Sequence, residues 1–130
     1  MSRILVIDDD QAIAELVKVN LELLGHQVST VNDGIKGLAL AQQNRPDLIV
    51  LDVDMPGMNG YEVCTKLRAQ PNYKDTPVIF VTGLSDFQSR ARSTLSGAND
   101  LIAKPFVFVE LSVKALSYLL KARLATQRVL

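Results

Sequence analysis

The chain has 130 residues, of which 48% are hydrophobic, and its fourteen basic side chains balance fourteen acidic ones. This length predicts a single domain over residues 1–130, with enough buried apolar surface to fold without a disulfide or a metal. The neutral balance argues against a nucleic-acid arm or a membrane-surface patch, and the longest apolar runs are too short to span a bilayer. With no signal-peptide pattern and a single cysteine, Cys64, the chain is expected to be cytoplasmic.

Apolar runs alternate along the chain with amphipathic stretches. The runs predict strands at Arg3–Ile7, His26–Val31, Asp47–Leu51, Pro77–Val81 and Asp100–Ala103. The stretches between them predict five helices. The first ends at Gly25, the second covers Asp33–Asn44 and the third covers Gly60–Gln70. The fourth runs from a Ser85/Gln88 capping box to Gly97, and the fifth starts at about Val107. Helical spacing predicts inward faces made by Ile13, Leu16, Val17, Asn20 and Leu24 on the first helix, and by Ile35, Leu38 and Ala39 on the second.

Strict alternation of apolar strands with helices predicts an α/β fold, a parallel sheet covered on both faces by helices. In open sheets of this kind, ligands bind outside the carboxyl ends of the strands, where the strand order reverses. The residues that follow each strand are therefore the candidates for function.

Polar residues collect at these strand ends. They are Asp8, Asp9 and Asp10 after the first strand, Asp52 and Asp54 at the third, Thr82 at the fourth, and Lys104 with Pro105 at the fifth. Two carboxylates about 4 Å apart repel by about 4 kcal/mol at an effective dielectric of about 20, so such a cluster must hold a proton or a cation. Oxygen ligands alone favour Mg²⁺ or Mn²⁺. A carboxylate nucleophile, a metal, a hydroxyl and a lysine together suit phosphoryl transfer.

Four motifs carry a resemblance to a known family. They are ILVIDDD at 4–10, LDVDMPGMNG at 51–60, the Thr82-Gly83 pair, and GANDLIAKPF at 97–106. In this order and spacing the chain resembles the receiver domain of two-component response regulators over nearly its whole length. The resemblance implies a flavodoxin-like, doubly wound, five-stranded sheet in the order 2-1-3-4-5. It also implies that Asp52 accepts a phosphoryl group from the phosphohistidine of a histidine kinase or phosphotransfer protein.

The resemblance further implies a role for each site residue. Asp52 and Asp9 would ligate the metal directly, Asp8 largely through water, and Asp54 through its backbone carbonyl. Thr82 and Lys104 would hold the phosphoryl group, with a cis peptide bond between Lys104 and Pro105. Output would pass through the face formed by helix 4, strand 5 and helix 5, with a homodimer as one possible state and no direct contact of this domain with nucleic acid.

Two departures from the family pattern fall on that output face. Leu101 stands where the family usually has an aromatic residue, and the apolar segment Phe106–Val109 replaces a polar or proline-containing cap. We therefore expect the switch to rest on Thr82 and the loop Gly83–Asp86, with Phe106–Val109 as a partner or dimer surface.

Two other functions remain open from the residues. The Asp52-Val53-Asp54 run also resembles the nucleophile motif of haloacid-dehalogenase phosphatases, although Met55-Pro56 stands where that family has Gly-Thr. A pseudo-receiver that binds partners without phosphorylation is the third hypothesis.

Asp10 belongs either to the acidic site or to the N-cap of the first helix.

Overall fold

The computed structural model describes residues 2–83 and 87–129, apart from the side chains of residues 87–89, 93 and 126–129. The strands are β1 Arg3–Ile7, β2 Gln27–Val31, β3 Leu48–Asp52, β4 Val78–Thr82 and β5 Asp100–Ala103. The α-helices are α1 Gln11–Leu23, α2 Gly34–Asn44, α3 Gly60–Arg68, α4 Phe87–Ser96 and α5 Phe108–Val129. A 3₁₀ turn at Pro71–Tyr73 was not predicted.

The five strands form one parallel sheet in the order β2-β1-β3-β4-β5, which confirms the predicted fold class. Registers at the carboxyl edge pair Ile7 with Leu51, and Asp52 with Val81. The strand order reverses between β1 and β3, so the carboxyl ends of these two strands lie side by side at the switch point.

Each face of the sheet carries its own buried cluster. On one face, α1 and α5 pack against alternate strand residues such as Ile4 and Val50. On the other face, α2 and α3 pack against residues such as Leu5 and Phe80, with Cys64 buried among them. The strands are apolar on both sides because both sides are covered.

The inward faces of the first two helices were predicted correctly only in part, since Val17 is buried and Ile13 and Leu38 pack against the core clusters as predicted. On α1 the buried residues are Ala14, Val17 and Leu21, whereas Leu16 and Leu24 are more than half exposed. On α2 the buried residues are Gly34, Gly37 and Ala41, whereas Ile35 is 70% exposed. Small residues face the sheet on α2 because the helix lies close to it: a Cβ at Gly37 would lie 2.4 Å from the Ile7 side chain.

Side-chain caps set where three of the helices begin. Asp10 accepts a hydrogen bond from the amide of Ile13, so the open question about Asp10 is answered in favour of the N-cap. Asp33 caps α2, and Asn59 with Glu62 forms a capping box on α3. The predicted capping box of the fourth helix rests on Ser85 and the Gln88 side chain, which lie outside the described residues. Within the described ranges, no helix is both long and apolar enough to cross a membrane.

Candidate phosphoacceptor and metal site

Three carboxylates meet at the carboxyl edge of the sheet. One oxygen each from Asp8, Asp9 and Asp52 can be chosen so that all three lie within 4.8 Å of one another. Asp8 and Asp9 directly follow β1 and Asp52 ends β3, so the adjacency of these two strands brings the side chains together. Asp52 is 2% exposed and Asp8 4%, whereas Asp9 faces solvent.

Lys104 supplies the positive charge in this acidic pocket. Its Nζ lies 3.4 Å from Oδ2 of Asp8 and 3.4 Å from Oδ1 of Asp52. Burial alone would lower the pKa of Lys104, but the facing carboxylates of Asp52 and Asp8 outweigh that effect and raise it. Lys104 therefore stays charged, and its ammonium group joins the ends of β1, β3 and β5.

The charge of Asp52 is poorly compensated in the metal-free protein. Burial, the nearby Asp8 carboxylate and a hydrogen bond with Asp9 raise the pKa of Asp52 to about 7, against the lowering influence of Lys104 and of the Asp54 amide. A buried carboxyl group whose pKa is raised by a neighbouring carboxylate favours a bound cation for the same reason that it favours a proton.

Backbone contacts fix the two buried carboxylates in place. The Asp54 amide donates to Oδ1 of Asp52 at 3.1 Å, and the Asp10 amide donates to Oδ1 of Asp8 at 2.9 Å. Behind Asp52, the start of α3 approaches so closely that a Cβ at Gly60 would lie 2.5 Å from the Asp52 carbonyl oxygen. Glycine at position 60 is therefore required for the loop after β3 to pack in this way.

Thr82 is buried at the end of β4, but its hydroxyl is engaged by Asp54. Thr82 Oγ1 donates to Oδ2 of Asp54 at 3.1 Å, and the Gly83 amide donates to the same oxygen at 3.3 Å. The Lys104 amide donates to the Thr82 carbonyl oxygen at 2.7 Å, which holds the ends of β4 and β5 together. Sequence reasoning missed the hydrogen bond between Thr82 and the Asp54 side chain, because no motif spacing signals a contact between the end of one strand and the loop after another.

The donor set fits a hard divalent cation. The three clustered side chains offer only carboxylate oxygens, and one lysine leaves the group net negative. Low-number oxygen sets of this kind suit Mg²⁺ or Mn²⁺, which keep waters in their remaining positions. Asp8, Asp9 and Asp52 are the residues that would hold the ion. The Asp54 carbonyl as a further ligand stays a prediction.

On the output side of the site, the structure agrees in part with what the sequence predicted. The Lys104–Pro105 peptide bond is cis, as the resemblance implied. Leu101 is half-buried and packs against the cluster that contains Phe80. The apolar partner surface at Phe106–Val109 stays a prediction, although the partly buried rings of Phe106 and Phe108 pack edge to face against each other and against the α1/α5 cluster. Only the two valines of this segment are exposed.

Fold and site together define a class: doubly wound α/β domains with an acidic pocket at the switch point, closed by a lysine from the last strand. A family model described as the response regulator receiver domain matches residues 4–116. The chain belongs to this family and is a receiver domain of the two-component response regulator type. Receiver domains are signalling switches and not conventional enzymes.

Similar proteins agree with this assignment. The chain is 48% identical over 106 residues to the DNA-binding dual master transcriptional regulator RpaA of a Synechocystis strain, covering 82% of this chain and 44% of that protein. It is 42% identical over 104 residues to the response regulator PleD of Caulobacter vibrioides, covering 80% and 23%. The chain thus spans less than half the length of these relatives. The Vibrio cholerae chemotaxis protein CheY4 superposes with a TM-score of 0.86 at 34% identity, covering 92% of this chain and 98% of that one.

Proposed function

We propose that this domain is a phosphoaccepting switch that takes a phosphoryl group onto Asp52 from a phosphohistidine of a histidine kinase or phosphotransfer protein. The observation that carries the proposal is the buried Asp52 carboxylate, held between the Asp8/Asp9 pair and the Lys104 ammonium group. Response regulators as a class interact with such kinases and phosphotransfer partners.

In the proposed reaction, a carboxylate oxygen of Asp52 attacks phosphorus and forms a P–O bond as the P–N bond to the donor imidazole breaks. The imidazole nitrogen leaves with the bonding electron pair. When bound, Mg²⁺ supplies positive charge against the carboxylates and the phosphoryl oxygens. Lys104 stabilises the developing charge on those oxygens, and the Asp54 amide orients the attacking carboxylate.

The site supports a single phosphorylation event better than phosphatase turnover. Asp54 is the residue that would act as general acid in a dehalogenase-type phosphatase, but its carboxylate accepts hydrogen bonds from Thr82 and Gly83. An oxygen that accepts hydrogen bonds from the Thr82 hydroxyl and the Gly83 amide is engaged as an acceptor and is not placed to donate a proton to a leaving group. The complete acid, hydroxyl and lysine set likewise argues against a pseudo-receiver.

Acetyl phosphate with Mg²⁺ separates the three functions. The proposed switch takes up label to at most one phosphoryl group per chain, and a chelator abolishes the uptake. Continuous release of phosphate from a phosphomonoester such as p-nitrophenyl phosphate would contradict the proposal in favour of a phosphatase. No labelling under any of these conditions would contradict it in favour of a pseudo-receiver.

We expect the Asp54 side chain to shorten the life of the phosphorylated state. Its Oδ2 holds the Thr82 hydroxyl, which the phosphoryl group needs as a donor, so the two acceptors compete for one hydrogen. Asp54→Ala removes the competitor and should slow loss of label about five-fold, the equivalent of one hydrogen bond of about 1 kcal/mol. The measurement is the first-order decay of the labelled protein.

Asp54→Asn is the matched variant, because it keeps an acceptor oxygen for Thr82 and removes only the charge. If competition for Thr82 sets the rate, the Asn protein decays faster than the Ala protein. If the charge orients the attacking water, both variants decay slowly at the same rate. Decay at the wild-type rate in both would show that this side chain has no part in the lifetime.

The proposal extends to the remaining features of the domain. The switch is expected to act through Thr82 and the loop Gly83–Asp86, of which residues 84–86 lie outside the described residues. The neutral overall charge supports no direct nucleic-acid contact by this domain. A cytoplasmic location is supported by the lone, buried Cys64 thiol, which a reducing compartment keeps free.

A further inference from the structure

The exposed aliphatic side chains are unevenly distributed over the surface. Within the described ranges, nine of the twelve large hydrophobic residues that are exposed lie on two helices or at the end of one. They are Leu16, Val19 and Leu23 on α1, Leu24 at its C-cap, and Val109, Val113, Leu116, Leu120 and Leu124 on α5. Single exposed leucines are ordinary on a protein surface, whereas a group of this size marks an interaction site.

The two helices form one continuous surface. Both pack on the same face of the sheet through the cluster that contains Val17 and Leu111. A shallow groove between them is lined by Leu24, Leu116 and Leu120. Below this surface the helices already bury their inward faces, so the exposed residues do not contribute to the core of the domain.

The apolar stripe on α5 also continues past the core contacts of the helix. Leu119 is the last residue of α5 in the buried cluster of the described residues, whereas the helix runs to Val129. Leu120 and Leu124 continue the spacing of Val113 and Leu116 at intervals of three and four residues, as helices in contact with another helix do. A helix that is apolar on two sides is expected to pack against other protein surface on both sides.

Charges beside the stripe differ in sign between the two helices. On α1 the exposed charged residues are Glu15 and Glu22, with Lys18 half-buried between them. On α5, beyond its contact with the sheet, the exposed charged residues are Lys121 and Arg123. If the two-fold axis passes between the two helices, each helix of one copy meets the other helix of its mate, and acidic α1 then faces basic α5 twice.

We propose that the α1/α5 surface is the interface of a homodimer, in which α1 of one copy packs against α5 of the other. A stable interface buries about 800 Å² on each partner, with an apolar centre and a charged rim. Nine aliphatic side chains, each about half exposed or more, supply such a centre, and the complementary charges supply the rim.

The helix 4, strand 5 and helix 5 face offers a poorer candidate for this contact. Its charged groups are paired within the chain, since Lys114 Nζ lies 2.9 Å from Asp100 Oδ1 and the Tyr118 hydroxyl donates to Asp100 Oδ2 at 3.1 Å. Leu95 is the exposed large aliphatic residue that α4 presents there among its described side chains. The dimer proposed here shares α5 and Val109 with the face that the sequence singled out for output, but it pairs α5 with α1 instead of α4 and β5, and it does not depend on phosphorylation.

Sedimentation velocity of the unlabelled chain at about 10 to 100 µM tests the proposal. The wild type should sediment as a dimer. Leu120→Asp should raise the dimer dissociation constant by about a hundred-fold or more, because it puts a charge in the centre of the contact. Leu95→Asp changes a leucine of α4 that is 87% exposed, against 48% for Leu120, and should leave the dimer unchanged. A monomeric wild type at 100 µM, or equal effects of the two variants, would overturn the proposal.

A charge exchange makes the test independent of any loss of folding. Arg123 lines the groove between the two helices, so Glu22→Lys and Arg123→Glu should each weaken the dimer about ten-fold, and the double variant should restore most of that loss. Absence of restoration would overturn the pairing of α1 with α5. A wild type that stays monomeric while Leu120→Asp slows phosphoryl uptake from a histidine kinase would assign the surface to the kinase instead, and would leave the phosphoacceptor function standing.

Discussion

In a chelator, Asp52→Asn is expected to be more stable than the wild type at about pH 8, and the advantage should shrink as the pH falls to about 4. The buried Asp52 carboxylate faces Asp8, and its pKa is raised to about 7 in the folded protein. The wild type therefore folds against an unfavourable charge at high pH, which the amide removes. Ionised Asp52 lowers the free energy of unfolding of the wild type by at most about 4 kcal/mol, since each unit of pKa difference is worth about 1.4 kcal/mol.

The direction of the pH dependence follows from proton binding. With a folded pKa near 7 and an ordinary value near 4 in the unfolded chain, the folded state binds more protons between these limits. Stability of the wild type should therefore fall as the pH rises through this window and level off above it. The Asn variant lacks this titration, so the difference between the two proteins isolates Asp52 from the other carboxyl groups.

Urea unfolding in EDTA at several pH values measures this difference. Asp75→Asn is the control, because Asp75 is an exposed carboxylate outside the site and its removal should shift stability little at any pH. A constant difference between wild type and Asp52→Asn from pH 4 to pH 8 would show that Asp52 is not held under electrostatic strain, and the interpretation of the acidic pocket would be wrong.

The second large effect is stabilisation by Mg²⁺. An ion that binds only the folded protein stabilises it by RT ln(1 + [L]/Kd), about 2.7 kcal/mol when the free ion is at 100 times Kd. The gain should be larger at about pH 8 than at pH 5, because at the higher pH Asp52 has already lost the proton that would compete with the cation. Thermal unfolding with and without excess Mg²⁺ gives the shift.

Two neighbouring variants distinguish a metal site from a general effect of salt. Asp9→Ala removes a carboxylate of the clustered group, so the Mg²⁺-dependent shift should disappear. Asp10→Ala removes the N-cap of α1 and should lose about 1 kcal/mol in both conditions while keeping the shift. If both variants respond to Mg²⁺ as the wild type does, the ion is not bound by the Asp8, Asp9 and Asp52 group.

The sequence predicts the sheet well, because short apolar runs in strict alternation with helices leave few topologies open. Strand boundaries differ from the prediction by about one residue, as at Asp52 and Thr82, which extend β3 and β4. The cluster of Asp8, Asp9 and Asp52 with Lys104 was predictable for the same reason, since parallel strands deliver their carboxyl ends to one edge.

Helix faces and loop contacts were less predictable. Hydrophobic spacing selects large side chains such as Ile35, but α2 lies so close to β1 that only glycine and alanine fit between them. The hydrogen bond from Thr82 to Asp54 joins the end of β4 to the loop after β3, and its two residues are 28 positions apart in sequence, so it depends on tertiary packing. The helical spacing of the leucines in α5 is visible in the sequence, but only the fold shows that its exposed stripe lies beside that of α1.

The central claim is that Asp52 accepts the phosphoryl group, and locating the label tests it most directly. The chain is incubated with acetyl phosphate and Mg²⁺, the acyl phosphate is trapped by borohydride reduction, and the modified peptide is sequenced by mass spectrometry. The account predicts one modified residue, Asp52, and no label in Asp52→Asn, with Asp75→Asn labelled like the wild type. Label in Asp52→Asn at the wild-type level, or a modified residue elsewhere in the wild type, would contradict it.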